Sequence, residues 1–132
     1  MQKEIISTDK APAAIGPYSQ AVRCGDFIFV SGQIPIDPST GQIQNDIKSQ
    51  TLQVMKNLEE VLTAAGSSLE KVTKTTLFIK NMDDFSVINE VYTSFFKQDP
   101  PARSTVEVAR LPKDVMIEIE AIAIFRGSSQ YI

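Results

Sequence analysis

The residues best equipped for chemistry lie between Pro101 and Ile124, where Arg103, Thr105, Glu107, Glu118 and Glu120 stand among apolar neighbours. Arginine presents a planar fork suited to bidentate grasp of a carboxylate. Clustered carboxylates can place a water molecule and manage a proton, because like charges disfavour ionisation and raise the pKa of one member. Histidine is absent, and Cys24 is the one cysteine. That excludes histidine-dependent mechanisms, Ser-His-Asp triads and imidazole-based ribonuclease chemistry among them, and leaves almost no room for a zinc site. An all-carboxylate Mg²⁺ site stays open in principle; the expectation is no metal and no cofactor.

Two strands must position these groups. From Val115 to Ala123 the odd positions are apolar, and the even positions run Met116, Glu118, Glu120, Ile122, continuing to Ile124. Side chains alternate across a strand, so one face is apolar and the other carries two carboxylates. Upstream, Val106 and Val108 point one way while Arg103, Thr105 and Glu107 point the other. Leu111-Pro112-Lys113-Asp114 reads as the turn of a hairpin. Pairing Arg110 with Val115 sets Glu107 opposite Glu118, Thr105 opposite Glu120 and Arg103 opposite Ile122, all on one face. Like charges opposite each other destabilise such a pair, so this face must be well solvated or hold something cationic or proton-bearing. Arg103 and Glu118 then stand about 13 Å apart along the strands at ~3.4 Å per residue. Either their side chains lean together, or the working pair comes from different subunits.

Further upstream, residues 3–6 suggest an edge strand, followed by an irregular proline-marked loop through Pro17. Tyr18–Arg23 and Phe27–Gln33 form β-rich runs joined by Cys24-Gly25-Asp26, a hairpin signal. Asn45 or Asp46 can cap a helix whose face is Ile47, Thr51, Val54, Met55, Leu58, Val61, Leu62 and Ala65, with Gly66 in the C′ place. Lys71–Lys80 is β-rich. A second helix starts near Asp83 or Asp84 and must stop before Pro100-Pro101. The order is β-β-β-α-β-α-β-β, and the fold class is α+β: one mixed sheet with two helices on one face. Only that face is covered. The other, with Arg103, Thr105, Glu107, Met116, Glu118, Glu120, Ile122 and Ile124, would be an exposed, partly apolar surface, which implies a homo-oligomer packed sheet to sheet.

The chain has 132 residues, read as one domain over 1–132, with a net charge of −3, 42% hydrophobic and 22% charged residues. Nucleic acid is excluded as a partner by the lack of a basic patch. A membrane is excluded by the lack of any apolar stretch near 20 residues. The lone cysteine and the absence of a signal peptide at Met1–Ile6 suggest a cytoplasmic protein. Taken singly, each residue has a plain structural reading. A strand-end arginine is usually a surface charge, and Glu118 and Glu120 would usually be solvated. Glu107 reads as structural, Tyr18 and Phe85 as core, Asn89 as an exposed helix residue, Cys24 as a bystander. Ser31-Gly32 could turn the chain or offer a backbone N–H to a ligand.

Taken together, the segments Ala11–Tyr18, Ser31–Pro35, Lys74-Thr75-Thr76 to Asn89, and Pro101–Ser104 through Ile117–Ala121 resemble the RidA/YjgF family of reactive-intermediate deaminases. The resemblance spans nearly the whole chain. It implies a chorismate-mutase-like fold and a homotrimer with sites in the clefts between subunits. It also implies hydrolysis of 2-iminobutanoate and 2-iminopropanoate to 2-oxo acids and ammonia, without a cofactor. By the same resemblance Arg103 clamps the substrate carboxylate, Glu118 holds the attacking water, and Tyr18, Gly32 and Asn89 line the pocket; Ser31, beside Gly32, and the Thr105 hydroxyl are further candidate substrate-binding groups. Many members have cysteine where this chain has Thr105, so no mechanism here can use a sulfur at that position.

The chemistry suits these residues. An imine carbon is already electrophilic; water adds, and the tetrahedral intermediate expels ammonia. Arg103 holds the carboxylate, Glu118 places the water and handles the proton, and Glu107 and Glu120 push up the pKa of Glu118. Two other readings compete. A non-enzymatic sensor of 2-oxo acids would need Arg103 and have no use for Glu118. An endoribonuclease or translation inhibitor conflicts with the acidic balance and the missing histidine.

Overall fold

The computed structural model describes residues 2–125. Its strands are β1 (Lys3–Ile6), β2 (Ala21–Cys24), β3 (Phe27–Gln33), β4 (Val72–Ile79), β5 (Ala102–Glu107) and β6 (Ile117–Ile124), with helices α1 (Ile47–Ala64) and α2 (Phe85–Phe95). They form one six-stranded mixed sheet in the order β1-β2-β3-β6-β4-β5. The element order β-β-β-α-β-α-β-β matches the sequence reading, as does the α+β class.

Local signals account for the main boundaries. Cys24 pairs with Phe27 across the tight turn that Gly25 makes at positive φ. Asp46 caps α1 by accepting a hydrogen bond from the Ser49 N–H at 2.9 Å. The helix closes in a Schellman turn: Ser67 N–H donates to Leu62 O and Gly66 N–H to Thr63 O, with Gly66 at φ 82°. α2 starts differently from expectation. Asp84 makes no side-chain cap; the cap lies one turn earlier, where the Asn81 side chain accepts from Asp83 N–H and opens the short 3₁₀ turn Met82–Asp84.

The apolar faces of both helices meet one face of the sheet. Val54, Met55, Leu58, Val61 and Leu62 of α1 and Ile88 of α2 are buried with Ile28, Leu77, Ile79, Ile117, Ile119 and Ala123. The other face stays open. Ile5 is 54% exposed, Phe27 48%, Phe29 46% and Val106 42%, too much for side chains that would ordinarily be buried.

The expected hairpin of the last two strands does not form. β5 pairs in parallel with β4, β6 pairs antiparallel with β4, and β4 therefore lies between them. Residues 108–116 carry the chain across the end of β4, where Val108 N–H donates to Ile79 O and Lys80 N–H to Met116 O. Hairpin loops run two to five residues, and this connection is longer. A parallel pair needs a crossover, which α2 supplies between β4 and β5. Pro112 to Asp114 is still a turn, with Lys113 and Asp114 both at φ 55°.

Replacing Asp46 by Ala should lower stability by about 1 kcal/mol through loss of the α1 cap. Urea unfolding should show a lower midpoint at unchanged slope; an unchanged midpoint would mean that Asp46 does not hold this helix end.

Candidate functional site

The strand order divides the expected site. On β4, Thr75 aligns with Arg103 and Leu77 with Thr105, and both β4 residues are fully buried under the helices. Arg103, Thr105 and Glu107 therefore point to the helix-covered face. Phe78 aligns with Glu118 and Thr76 with Glu120. Glu118 lies between buried Ile117 and Ile119 on β6 and so points to the open face, as does Glu120. The expectation of one face carrying Arg103, Thr105, Glu107, Glu118 and Glu120 is corrected by this alternation. Two strand spacings and a three-residue offset put Arg103 and Glu118 about 14 Å apart at the backbone, through the sheet.

Arg103 is half-buried at the edge of the sheet beneath α2. Its Nη1 donates to Asn89 Oδ1 at 2.8 Å. Its guanidinium carbon lies 4.9 Å from the ring centroid of Tyr92 and 5.4 Å from that of Phe85. Among the described residues no carboxylate pairs with it; the ion pair found there is Arg110–Asp114, at the surface. A half-buried guanidinium with most of its donors unspent is a ready anion site. Two residues on, the Thr105 hydroxyl is buried and finds no hydrogen-bond partner among the described residues. An orphaned buried hydroxyl costs free energy unless something else satisfies it. Asn89, taken from the sequence as an exposed helix residue, thus partners Arg103.

Glu118 occupies the second half. A Cβ at Gly32 would overlap its carboxylate, coming within 2.8 Å of Cδ. Only glycine permits this approach. Burial raises the Glu118 pKa above the usual 4.5, and the nearby charge of Glu120 raises it further. Glu107 has no part in that shift. It faces the other way, and its Oε1 accepts from Met82 N–H at 2.7 Å, tying β5 to the turn that opens α2.

Gly32 also borders a cleft of about 240 Å³ lined by Pro12, Ile15, Tyr18, Ile34 and Lys113, among others. Tyr18 is 53% exposed there, its hydroxyl accepting a long 3.4 Å bond from Ile15 N–H. Gly16 at φ 118° makes the bend that returns the chain to Tyr18. Ser31 serves this loop directly. Its N–H donates to Gln20 O at 2.9 Å and its hydroxyl to Ser19 O at 2.6 Å, so neither proton is left for a ligand. Gln20, which sequence reasoning passed over, is buried and binds the main chain at Thr8 and Pro12. Its periodicity gives no hint of this; only the polar atoms of a buried amide reveal it.

The candidate residues therefore fall into two groups: Arg103, Asn89 and Thr105 under α2, and Glu118 with Gly32 on the open side, Tyr18 lining the cleft beside Gly32. No group of three or more His, Cys, Asp or Glu side chains among the described residues is arranged to hold a metal ion.

Residues 8–125 match the family described as Endoribonuclease L-PSP. The chain belongs to this family, to which the RidA and YjgF proteins also belong. A RutC family protein of Pyrococcus horikoshii is 58% identical over 122 residues, covering 92% of this chain and 97% of its own. The 2-iminobutanoate/2-iminopropanoate deaminase of Escherichia coli is 50% identical over 124 residues, covering 92% and 97%. Among solved structures, Escherichia coli TdcF with bound serine superposes with a TM-score of 0.89 at 49% identity, covering 92% of this chain and 98% of that one.

The raised Glu118 pKa has a consequence for stability. Between the usual 4.5 and the raised value the native chain holds more proton than the unfolded one, so stability falls as pH rises through that window. Glu118→Gln removes the loss. The variant should match wild type below about pH 4 and be the more stable of the two at pH 7 in chemical denaturation. Equal stability at both pH values would show that the carboxylate pays no desolvation penalty.

Proposed function

We propose that this chain hydrolyses 2-iminobutanoate and 2-iminopropanoate to 2-oxo acids and ammonia, at sites assembled between copies of the chain. One observation carries the reading: the guanidinium of Arg103, which no carboxylate among the described residues pairs, and the carboxylate of Glu118, whose pKa burial raises, lie on opposite faces of one sheet. Neither half can process an imino acid alone. The Arg103 half offers donors for the substrate carboxylate, with Thr105 Oγ1 free to add one more contact. The Glu118 half offers a base for the water, beside a cleft shaped by Gly32 and Tyr18. A head-to-tail contact, the β5–α2 edge of one copy against the Gly32–Glu118 side of the next, would join them. Closed after three copies it gives a homotrimer, and it would cover Ile5, Phe27 and Phe29.

In the joined site Arg103 fixes the carboxylate and so the position of the imine carbon. Glu118 takes a proton from the water as it adds, and returns it to the departing nitrogen. A carboxyl group whose pKa is raised by burial and by a neighbouring carboxylate is better placed for both transfers than an ordinary glutamate. The deaminase name of a relative 50% identical over 92% of this chain supports the reading, and serine bound to TdcF supports a site for small amino-acid-like molecules. The ribonuclease named in the family description is disfavoured here, because a histidine-free chain of net charge −3 lacks both imidazole chemistry and a basic footprint.

Ammonia release from freshly generated 2-iminobutanoate is the direct test, and it should be unaffected by EDTA. Light scattering should give about three times the 14.6 kDa chain mass. Glu118→Gln should slow hydrolysis by about 10²–10⁴-fold while 2-oxobutanoate binding is kept, the result that separates an enzyme from a sensor. Arg103→Ala and Glu118→Gln, each inactive alone, should recover about a quarter of wild-type activity when co-refolded as equal mixtures, since one junction in four then joins two intact halves. Failure of the mixture to recover any activity would place both groups in one chain's site and overturn the composite arrangement.

A further inference from the structure

We infer that Phe85 and Tyr92 act as positioning residues, an aromatic seat on α2 that fixes the guanidinium of Arg103 for carboxylate binding. The inference rests on the reading of Arg103 as the anion-binding group. Phe85, Asn89 and Tyr92 follow the spacing i, i+4, i+7 and so form one stripe of α2. All three meet Arg103: Asn89 by a 2.8 Å hydrogen bond, Tyr92 and Phe85 by ring contacts at 4.9 and 5.4 Å. Rings at these distances attract a cation and leave its in-plane N–H donors free, which a carboxylate partner would not.

The seat is itself anchored. The Tyr92 hydroxyl and the Thr75 hydroxyl share a buried 2.7 Å hydrogen bond, and Thr75 is the β4 residue aligned with Arg103. Phe96 packs against the Tyr92 ring at 4.7 Å between centroids. The aromatic stripe is thus locked to the strand beside the one that carries Arg103. A long arginine side chain loses much rotamer freedom when a ligand fixes it; a preformed seat removes part of that cost before the substrate arrives. Arg103→Lys would lose the fork, whereas losing the seat keeps the fork and lets it wander.

The test uses Phe85→Leu and Tyr92→Leu, with Tyr92→Phe as the conservative control, in the full-length protein. The guanidinium is followed by its Nε–H signal in ¹⁵N-labelled protein, and affinity by calorimetric titration with 2-oxobutanoate. In wild type the Arg103 signal should be displaced by ring currents. Each Leu variant should move it toward the position of a free arginine and weaken 2-oxobutanoate binding by about 5- to 30-fold, the size of a partly desolvated cation–π contact. Tyr92→Phe should keep the ring-shifted signal. If Tyr92→Leu does not fold, Phe85→Leu, at the first turn and only half-buried, decides alone. An unmoved signal, or unchanged affinity in a variant whose signal has moved, overturns the seat. Absence of 2-oxobutanoate binding by wild type would instead overturn the anion-site reading, and the guanidinium signal alone would then decide whether the rings hold Arg103.

Discussion

A strand gives its side chains to two faces in strict alternation, and the organisation of this protein depends on that parity. Thr75, Leu77, Ile119 and Ala121 must enter the core under α1 and α2, so their aligned partners Arg103 and Thr105 go with them. Glu118, one step from Ile119, has to emerge on the far side. A shift of one residue in either strand would move a whole apolar set out of the core, so no small adjustment can bring the two charges together within one chain. Their separation is fixed by the same rule that builds the core.

Much of the architecture was legible in the residues. Period-3.6 spacing from Ile47 and the Asp46 and Gly66 signals located α1, and Cys24-Gly25-Asp26 located the β2–β3 turn. The alternation in β6 correctly assigned Glu118 and Glu120 to a face opposite the buried Ile117, Ile119 and Ala121. Pairing partners were not legible. Alternation says which residues of a strand share a face; it does not say which neighbour the strand chooses, because any partner strand set in one of the alternate registers satisfies the pattern. The hairpin reading of β5 and β6 took adjacency in sequence for adjacency in space. The length of 108–116 and the helix between β4 and β5 were the available signals against it. Within the candidate site, Arg103 and Glu118 were identifiable by type, Asn89 and Gly32 by family likeness. The Gln20 anchor and the ring contacts to Arg103 depend on tertiary placement that no local pattern encodes.

The open face and the candidate site residues both cost the single chain stability. Glu118 is held against Gly32 where burial disfavours its charge, the Thr105 hydroxyl is shut away without a partner among the described residues, and large apolar side chains face outward. Natural sequences break local rules of this kind at functional and interaction surfaces more than elsewhere. The exceptions here are not scattered: Glu118 and the apolar residues share the open face, and Thr105 stands on the edge strand beside Arg103.

The position of β6 has a consequence for how the chain is made. Every strand before it belongs to one of two ribbons, β1-β2-β3 or the parallel pair β4-β5, and β6 is the strand that joins them. During synthesis the central place in the sheet stays vacant until residues 117–124 leave the ribosome. Until then β3 and β4 expose unpaired edges next to a half-built core. Such edges attract foreign strands. Topology thus defers closure of the sheet until β6 is available, and the two ribbons stay open to foreign strands for as long as it is not.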